Sequence, residues 1–444
     1  MHDFRYIEDQ LFCESVAVEK LAEKHGTPLY VYSQRSIARQ FQALDAALAP
    51  LHHAICYAVK ANSNLAVLRT LATLGSGFDV VSEGELRRVN AAGGDPWRCL
   101  FAGVGKTEAE IALGLQFKIF SFNVESEAEL DRINRIAGQM NVVAPIALRV
   151  NPNVNAHTHA KITTGLDRNK FGIPLEEVEG LYARAAKMKH LRLRGLEMHL
   201  GSQITSVKPF EQAVRKLAPL VARLKARHGL EFFSLGGGLG IVYESALASG
   251  TQEWWQSPAA QKVLTPGRFA ETLIPLLQPL ELFILVEPGR FLVGNAGILV
   301  TRVEYVKPTG RKHFVVVDAG MNDLVRPAMY DAHHEIVPLV RKAGPELSCD
   351  VVGPICESGD VFCEDRRLPQ VSEGDYLAVM SAGAYGFSMA SNYNSRPLPA
   401  EVLVHGRVAA LTHFRQALQR IWESEKIPRW LKYVRLPGPK VELP

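Results

Sequence analysis

After a short apolar run at 29–32, apolar runs alternate regularly with amphipathic stretches to about residue 295. The runs have the length and composition of buried parallel strands. The stretches between them, such as residues 65–74 and 210–227, place apolar side chains at helical spacing. Eight strands alternating with helices over roughly 250 residues predict a (β/α)8 TIM barrel; a doubly wound open sheet is the rival fold. The strand candidates begin near Ala54, Phe78, Cys99, Lys118, Pro145, Leu193, Phe232 and Phe283.

After Asn295 the pattern changes to short strands separated by Gly, Pro and Asn turns, which predicts a second, all-β domain of the sandwich or barrel type. A short strand at 29–32 precedes the barrel, and we expect it to pack with this domain. A helix is expected at 411–423. The strand candidates of the β domain are 315–318, 349–352, 376–379 and 401–404. The predicted division is a barrel at 36–295, a β domain from 1–35 plus 296–425, and an unassigned tail at 426–444.

Composition and charge exclude several classes of protein. The chain has 444 residues, of which 47% are hydrophobic and 22% charged, and its net charge is only +4. It contains no bilayer-length apolar stretch, no apolar signal core and no run of five like charges, so we expect neither membrane nor nucleic acid as a partner. Six scattered cysteines fit free thiols in a reducing cytoplasm, and no metal site is predicted.

Lys60 ends the first predicted barrel strand, in the segment YAVKAN at 57–62. Burying an ammonium ion is costly, so a lysine at this position needs an explanation. Its side chain could reach water or pair with a carboxylate. Alternatively, desolvation could lower the pKa of its amine, which would then attack an aldehyde and form a Schiff base.

Other unusual residues follow later strands at the same predicted rim, where the functional groups of a barrel gather. His199 ends the sixth strand, the glycine run 236–240 follows the seventh, and Glu287 and Arg290 follow the eighth. Consecutive glycines let backbone N–H groups surround an anion, and the loops after strands 7 and 8 commonly bind phosphate. Together with Lys60, this pattern predicts a phosphorylated aldehyde, pyridoxal 5'-phosphate (PLP), although the glycines alone could form an ordinary turn.

Three further side chains gain roles if PLP is the cofactor. A Glu287 carboxylate facing the pyridine nitrogen would keep that nitrogen protonated and make the ring a strong electron sink. His199 could stack on the ring, or it could be a core histidine with satisfied hydrogen bonds. Asp79, inside the second strand, could bias the electrostatics of the cofactor or pair within the barrel.

Seven motifs together resemble the fold type III PLP-dependent decarboxylases, and within them the diaminopimelate decarboxylase family. The resemblance covers roughly residues 5–425, including the segment 151–172. One departure is Ala160-Lys161, where the family often has Pro-Tyr. The motifs are YAVKAN at 57–62, FDVVSEGE at 78–85, HLGSQI at 199–204, GGGLG at 236–240, EPGR at 287–290, CESGD at 356–360 and GAYGFSMASNYNSRP at 383–397.

The resemblance implies a role for each matching residue. Lys60 would attach the cofactor, Cys356 would return a proton after carbon dioxide leaves, and Glu357 would bind the distal amine of the substrate. A buried, inert thiol is the alternative for Cys356. The other residues implied to bind the cofactor are Asp79, His199, Ser202, Gly236, Gly237, Gly238, Glu287, Gly289, Arg290 and Tyr385. Those implied to bind the substrate, mainly its distal carboxylate, are Arg290, Arg326, Tyr330 and Tyr385.

The implied reaction is decarboxylation of meso-2,6-diaminopimelate to L-lysine, the last step of lysine biosynthesis. A decarboxylase of ornithine, lysine or a related amine-bearing amino acid is the alternative. Glu287 argues against a racemase, which typically places an arginine at the ring nitrogen. The presence of both Lys60 and Cys356 argues against a silent PLP-binding homologue. The resemblance also implies a homodimer in which the loop carrying Cys356 and Glu357 reaches the partner's barrel.

Overall fold

The computed structural model describes residues 1–156, 170–310 and 312–432. Ala160 and Lys161, which depart from the family pattern, lie outside the described residues. The chain begins with a small antiparallel sheet followed by a helix, a strand and a second helix. These elements are β1 (Phe4–Ile7), β2 (Gln10–Cys13), β3 (Val16–Ala17), α1 (Val18–His25), β4 (Leu29–Ser33) and α2 (Gln34–Leu48).

Nine parallel strands follow, and all except the two-residue β10 form a closed barrel. The last barrel strand pairs with the first, with Val286 opposite Ile55, so the sheet has no free edge. The predicted barrel is therefore confirmed and the open-sheet alternative is wrong; each strand begins within three residues of its expected position. The strands are β5 (His53–Ala58), β6 (Gly77–Val80), β7 (Cys99–Phe101), β8 (Ser121–Val124), β9 (Ala144–Asn151), β10 (Ile173–Pro174), β11 (Leu191–Met198), β12 (Phe232–Ser234) and β13 (Phe283–Val286).

The helices that cover the barrel begin where the sequence supplies capping side chains. Ser82, Thr107 and Ser126 each accept a hydrogen bond from the backbone N–H three residues later, and Thr107 and Glu110 form a complete capping box. The helices after the first two are α3 (Leu65–Thr73), α4 (Glu83–Ala91), α5 (Glu108–Gln116), α6 (Glu127–Gln139), α7 (Val178–Ala185), α8 (Lys208–His228), α9 (Gln252–Trp255), α10 (Pro266–Leu277) and α11 (Arg290–Val293). No helix within the described ranges is long and apolar enough to cross a membrane.

The remaining strands build a second sheet around β14. β4 joins this sheet between β14 and β20, which confirms that the early strand packs with the β domain. The domain limits at 35/36 and 295/296 stay a prediction. The elements are β14 (Gly297–Thr309), β15 (Lys312–Val317), α12 (Arg326–Tyr330), β16 (Ile336–Pro338), β17 (Glu346–Val352), β18 (Val361–Pro369), β19 (Tyr376–Val379), β20 (Ala400–His405), β21 (Val408–His413), α13 (Gln419–Trp422) and α14 (Arg429–Lys432).

The helix expected at 411–423 is largely wrong. Its first residues belong to β21, which forms an antiparallel hairpin with β20 across Gly406, a glycine with φ of 59°. The hairpin satisfies the backbone groups of the segment in a β ladder, so that only the four residues of α13 are helical. The apolar spacing that indicated a helix is compatible with both arrangements.

A buried ion pair helps to hold the barrel rim in place. Lys106 Nζ donates to Glu129 Oε1 at 2.6 Å and to the carbonyl oxygens of Gly103 and Asn123, each at 2.8 Å. The Lys106 side chain is 1% exposed and that of Glu129 is 7% exposed. A buried ammonium ion that loses its partner is strongly destabilising, because its desolvation is no longer offset.

We therefore expect Glu129→Ala to lower the free energy of unfolding by roughly 3–5 kcal/mol. Arg215→Ala is the matched control, because it removes an exposed i,i+4 ion pair with Glu211 and should change stability little. Chemical denaturation of the two variants and the wild type measures the difference. Equal midpoints for Glu129→Ala and Arg215→Ala would contradict the importance of the buried pair.

Candidate active site

A cavity of about 380 Å³ opens at the carboxyl ends of the barrel strands. The structure brings most of the predicted site residues to its walls, whereas Asp79 and Gly236 lie directly behind the lining. Cys356 and Glu357 are not among the lining residues and are exposed. The predicted residues that line the cavity are Lys60, His199, Ser202, Gly237, Gly238, Glu287, Gly289, Arg290, Arg326, Tyr330 and Tyr385.

Lys60 is directed by the turn that follows β5, and its amine is paired with Asp79. In the register of β5 with β6, Ala58 lies opposite Asp79, which places that carboxylate beside the end of the first strand. Lys60 Nζ donates to Asp79 Oδ2 at 2.5 Å. The other oxygen, Asp79 Oδ1, is buried and has no hydrogen-bond partner in the described part of the chain.

Of the alternatives for Lys60, the structure shows pairing with a carboxylate, and the pKa of the amine is raised rather than lowered. Burial does act to lower the pKa, but the Asp79 carboxylate, with Tyr385 and Glu85, raises it above its ordinary value. A contact of 2.5 Å between opposite charges outweighs desolvation here. The ion pair therefore favours the protonated amine, an ammonium ion. The amine must lose a proton before it can attack an aldehyde.

The glycine run forms a tight turn against the end of β11. Gly236 and Gly238 have φ values of 67° and 107°, and a Cβ atom on either would lie within 2.5 Å of a backbone oxygen. Facing this turn, Arg290 Nη2 donates to Ser202 Oγ at 3.0 Å. Backbone N–H groups, a hydroxyl and a guanidinium together have the chemistry that a phosphate group requires.

Glu287 is buried at the end of β13 and is 3% exposed. Its Oε1 accepts a hydrogen bond from Ser234 Oγ at 2.6 Å. Burial, together with the nearby carboxylates of Glu197 and Asp79, raises the pKa of Glu287 well above its usual range. The group can therefore hold a proton at neutral pH and share it with a basic ring nitrogen.

Glu197 is a buried acid that the sequence reasoning missed. Burial raises the pKa of Glu197 to about 7 despite Arg149, whose Nε lies 4.0 Å from Glu197 Oε1. Both residues are charged positions in the buried halves of β9 and β11, and this signal could have identified them. They give the barrel interior ionisable groups beneath the cavity.

His199 and Tyr385 complete the walls next to Lys60. Burial lowers the pKa of His199 well below its usual range, with Arg149 and Lys60 acting in the same direction, so the imidazole is neutral. Tyr385 has φ of 56°, and its backbone N–H donates to the carbonyl oxygen of Ala61 at 2.8 Å. That contact fixes the β domain against the turn that carries Lys60.

The two predicted arginines lie close together on the cavity wall. Arg290 Nη1 and Arg326 Nη1 both donate to the hydroxyl oxygen of Tyr243, each at 2.5 Å. Tyr243 was missed, although its position three residues after the glycine run was a usable signal. Arg326 lines the cavity, and its Nε is buried without a hydrogen-bond partner in the described residues.

Cys356 and Glu357 lie on an exposed loop that is held in a defined shape. The backbone N–H of Cys356 donates to Asn394 Oδ1 at 3.0 Å, and Tyr393 Oη donates to Glu357 Oε2 at 2.8 Å. Asp360 accepts backbone hydrogen bonds from Met321 at 2.6 Å and Ile355 at 2.7 Å. The exposed thiol contradicts the alternative of a buried, inert Cys356.

The barrel and its lysine, carboxylate and phosphate-type groups define a class of protein. Residues 34–294, more than half of the chain, match the pyridoxal-binding domain of the pyridoxal-dependent decarboxylases. The chain belongs to this class, whose cofactor is PLP. The residues present fit that cofactor. Lys60 carries an amine that can react with its aldehyde, and Glu287 carries a carboxyl group that can be protonated. Ser202 and Arg290 carry hydrogen-bond donors that suit a phosphate.

Comparison with individual proteins narrows the class. The chain is 47% identical over 430 residues to the diaminopimelate decarboxylase of Vibrio cholerae. The aligned region covers 96% of this chain and 99% of that protein. A crystal structure of diaminopimelate decarboxylase from Helicobacter pylori, complexed with L-lysine, is 40% identical with a TM-score of 0.85, covering 91% of this chain and 98% of that chain. A crystal structure of diaminopimelate decarboxylase from M. jannaschii, also in complex with L-lysine, is 36% identical with a TM-score of 0.89. The match covers 97% of this chain and 100% of that chain. The chain belongs to the diaminopimelate decarboxylase family, as its motifs predicted.

The ion pair with Asp79 predicts how the reactivity of Lys60 can be changed. Asp79→Asn removes the charge that raises the pKa of Lys60, so that burial dominates and the pKa falls. More of the amine is then neutral at a fixed alkaline pH. In the apoenzyme, reductive methylation of Lys60, followed by peptide mass analysis, should be faster than in the wild type.

Glu85→Gln is the matched control, because Glu85 contributes in the same direction but less than Asp79. Its acceleration should be smaller than that of Asp79→Asn. A methylation rate of Lys60 that Asp79→Asn leaves unchanged would show that the ion pair does not govern the protonation of the amine.

Proposed function

We propose that this chain catalyses the PLP-dependent decarboxylation of meso-2,6-diaminopimelate to L-lysine and carbon dioxide. The observation that carries the substrate is the pair of guanidinium groups, Arg290 and Arg326, on the wall of the cavity that contains Lys60. Diaminopimelate has a second carboxylate remote from the reacting carbon, and a guanidinium fork binds a carboxylate bidentately. Lysine or ornithine, bound as a substrate, would leave these buried charges without an anionic partner.

Different residues of the cavity would bind different parts of the cofactor. Lys60 supplies the amine that attaches the cofactor, and Asp79 orients that amine. Ser202, the backbone of Gly236, Gly237 and Gly238, the backbone of Gly289 and Arg290, and the hydroxyl of Tyr385 would bind its phosphate. When bound, PLP supplies the electron sink that accepts the electron pair left when carbon dioxide departs.

Two neighbouring side chains set the protonation of the site. Glu287 holds a proton at its carboxyl group, because burial and the nearby carboxylates raise its pKa, and it would share that proton with the ring nitrogen. His199, which we place against the ring, is neutral because burial and two cations lower its pKa. A neutral imidazole adds no positive charge to compete with the protonated ring nitrogen.

The distal end of the substrate is held by ionic groups from both domains. Arg290, Arg326 and Tyr330 would bind the distal carboxylate, and all three line the cavity. Tyr385 would contact the substrate beside Lys60. Glu357 would bind the distal amine, and Cys356 would deliver the proton that replaces the departing carboxylate.

The site is proposed to be shared between two copies of the chain. Cys356 and Glu357 are exposed and outside the cavity lining of their own chain, so a second barrel must receive them if they act in catalysis. A two-fold arrangement then makes two equivalent sites. We propose a homodimer located in the cytoplasm, with the cofactor-binding unit at 36–295, close to the family match at 34–294.

A substrate panel tests the proposed reaction. Wild-type protein should release carbon dioxide from diaminopimelate far faster than from lysine or ornithine. Arg326→Ala should lower kcat/KM for diaminopimelate by roughly 10²-fold or more, the effect of losing a charge-assisted contact. Any activity on lysine should change little, because lysine as a substrate has no distal carboxylate.

Arg302→Ala is the control, because Arg302 is an exposed arginine of β14 outside the cavity. It should behave as the wild type. Equal efficiency of the wild type on lysine and diaminopimelate, or a silent Arg326→Ala, would refute the substrate assignment and leave the decarboxylase class intact.

A mixing experiment tests the shared site. Lys60→Ala and Cys356→Ala should each be inactive alone, but a heterodimer of the two would contain one site with both residues. Random subunit exchange should therefore restore about a quarter of wild-type activity. Cys356→Ala mixed with the Lys60→Ala/Cys356→Ala double variant lacks the thiol in every site and should stay inactive. Confirmed heterodimers of the single variants without activity would show that each site is built within one chain.

A further inference from the structure

Tyr243 joins two arginines that come from different parts of the fold. Arg290 follows the last barrel strand, and Arg326 begins α12 in the β domain. Both guanidinium groups donate to the same hydroxyl oxygen at 2.5 Å. One phenol therefore fixes the position of the β-domain arginine relative to the barrel arginine, which also contacts Ser202.

The backbone that carries Tyr243 is itself held in place. Gln203 Nε2 donates to the carbonyl oxygen of Ile241 at 2.8 Å, and the N–H of Ile241 donates back to Gln203 Oε1 at 3.1 Å. Asn295 Nδ2 donates to the carbonyl oxygen of Val242 at 2.8 Å. These hydrogen bonds fix the backbone of the loop after the glycine run, and so restrict the position of the Tyr243 phenol in the cavity.

His334 is a second neutral partner of Arg326. It is fully buried, and its ring packs edge-on against that of Tyr243 with 5.2 Å between the centroids. Burial, followed by the charge of Arg326, lowers the pKa of His334 to about 3, so the imidazole is neutral. Its Nδ1 lies 2.8 Å from the carbonyl oxygen of Met380 and so carries the hydrogen, which leaves Nε2 to accept from Arg326 Nη1 at 3.4 Å.

The neutrality of these two acceptors matters for binding an anion. A carboxylate in place of Tyr243 would orient the guanidinium groups but would also cancel their charge. A phenol and an imidazole orient the same groups and leave both positive charges for the ligand. Burial acts to raise the pKa of Tyr243, whereas the charges of Arg290 and Arg326 act to lower it. The two arginines have the larger effect, so the pKa of Tyr243 lies below its ordinary value.

The hydroxyl group of Tyr243 also has a hydrogen-bond donor that the described residues do not use. A phenol has two acceptor positions and one donor, and the two arginines occupy both acceptor positions. No acceptor for the hydroxyl hydrogen is present in the described residues, and Tyr243 lines the cavity. A ligand carboxylate beside the two guanidinium groups would be such an acceptor.

We propose that Tyr243 is a specificity-determining residue that holds Arg290 and Arg326 as one carboxylate-binding fork and donates its hydroxyl hydrogen to the same carboxylate. The inference rests on the proposed function, in which that carboxylate is the distal carboxylate of diaminopimelate. Tyr243 is then what makes two arginines from separate domains recognise a single group.

The test compares two ligands that differ only in this carboxylate. L-lysine, as the product, retains the distal carboxylate and amine, whereas cadaverine is lysine without the carboxylate. In Tyr243→Phe holoenzyme, inhibition by L-lysine should weaken roughly 10- to 100-fold, while inhibition by cadaverine stays as in the wild type. The KM for diaminopimelate should rise by a similar factor, with a smaller change in kcat and unchanged PLP content.

Tyr182→Phe is the matched control. It removes another buried tyrosine hydroxyl, which donates to the carbonyl oxygen of Gly195 at 2.7 Å, but Tyr182 is outside the cavity lining. It should bind both ligands as the wild type does. If Tyr243→Phe does not yield folded holoenzyme, Tyr243→Leu, which also lacks the hydroxyl, takes its place under the same criterion.

The outcomes separate the inference from the proposed function. If wild-type protein prefers L-lysine to cadaverine and Tyr243→Phe keeps that preference, the inference is overturned and the proposed function stands. An equal loss of affinity for both ligands also overturns it, because the role would then be general. If wild-type protein does not distinguish the two ligands, the distal carboxylate site of the proposed function fails, and the inference fails with it.

Discussion

The pairing of the last barrel strand with the first is the constraint on which the rest of the structure depends. Because β13 runs beside β5, with Leu285 opposite Ala54, the residues that follow each strand emerge at the same rim. Lys60 follows one strand, whereas Glu287 and Arg290 follow the other. Residues separated by more than two hundred positions in the sequence therefore line one cavity. Without closure, the amine of Lys60 and the carboxyl group of Glu287 would lie at opposite edges of an open sheet.

Electrostatics decides what this rim can do. The barrel interior is buried, and burial alone would push carboxyl groups towards neutrality and Lys60 towards a neutral amine. Glu287 follows this rule, and its pKa rises. Lys60 does not follow it, because Asp79 lies 2.5 Å from its amine and stabilises the charged form. The pKa values of two groups in one cavity are therefore both raised, that of Glu287 through desolvation and that of Lys60 through an ion pair.

The sequence predicted the features that depend on pattern and missed those that depend on register. The barrel strands and the residues at their ends follow from apolar periodicity and from the geometry of parallel strands. The partner of Lys60 depends on β5 pairing with β6 so that Ala58 faces Asp79, and no periodicity specifies that register. For this reason the sequence left open whether Lys60 pairs with a carboxylate or has a lowered pKa, and the structure shows the pair. His334 was missed because tertiary contacts alone bring it to Arg326. The glycine run could have directed attention to Tyr243, but only tertiary contacts identify Arg326 as its partner.

The central claim is that Lys60 carries the cofactor at this rim. The most direct test is borohydride reduction of the purified holoenzyme, followed by digestion and peptide mass analysis. Reduction makes the link between the cofactor and its lysine permanent, so the modified peptide identifies the attachment site. We expect a pyridoxyl-phosphate adduct on the peptide that contains Lys60 and no such adduct in Lys60→Ala. An adduct on Lys106 or any other lysine in the wild-type protein would contradict it.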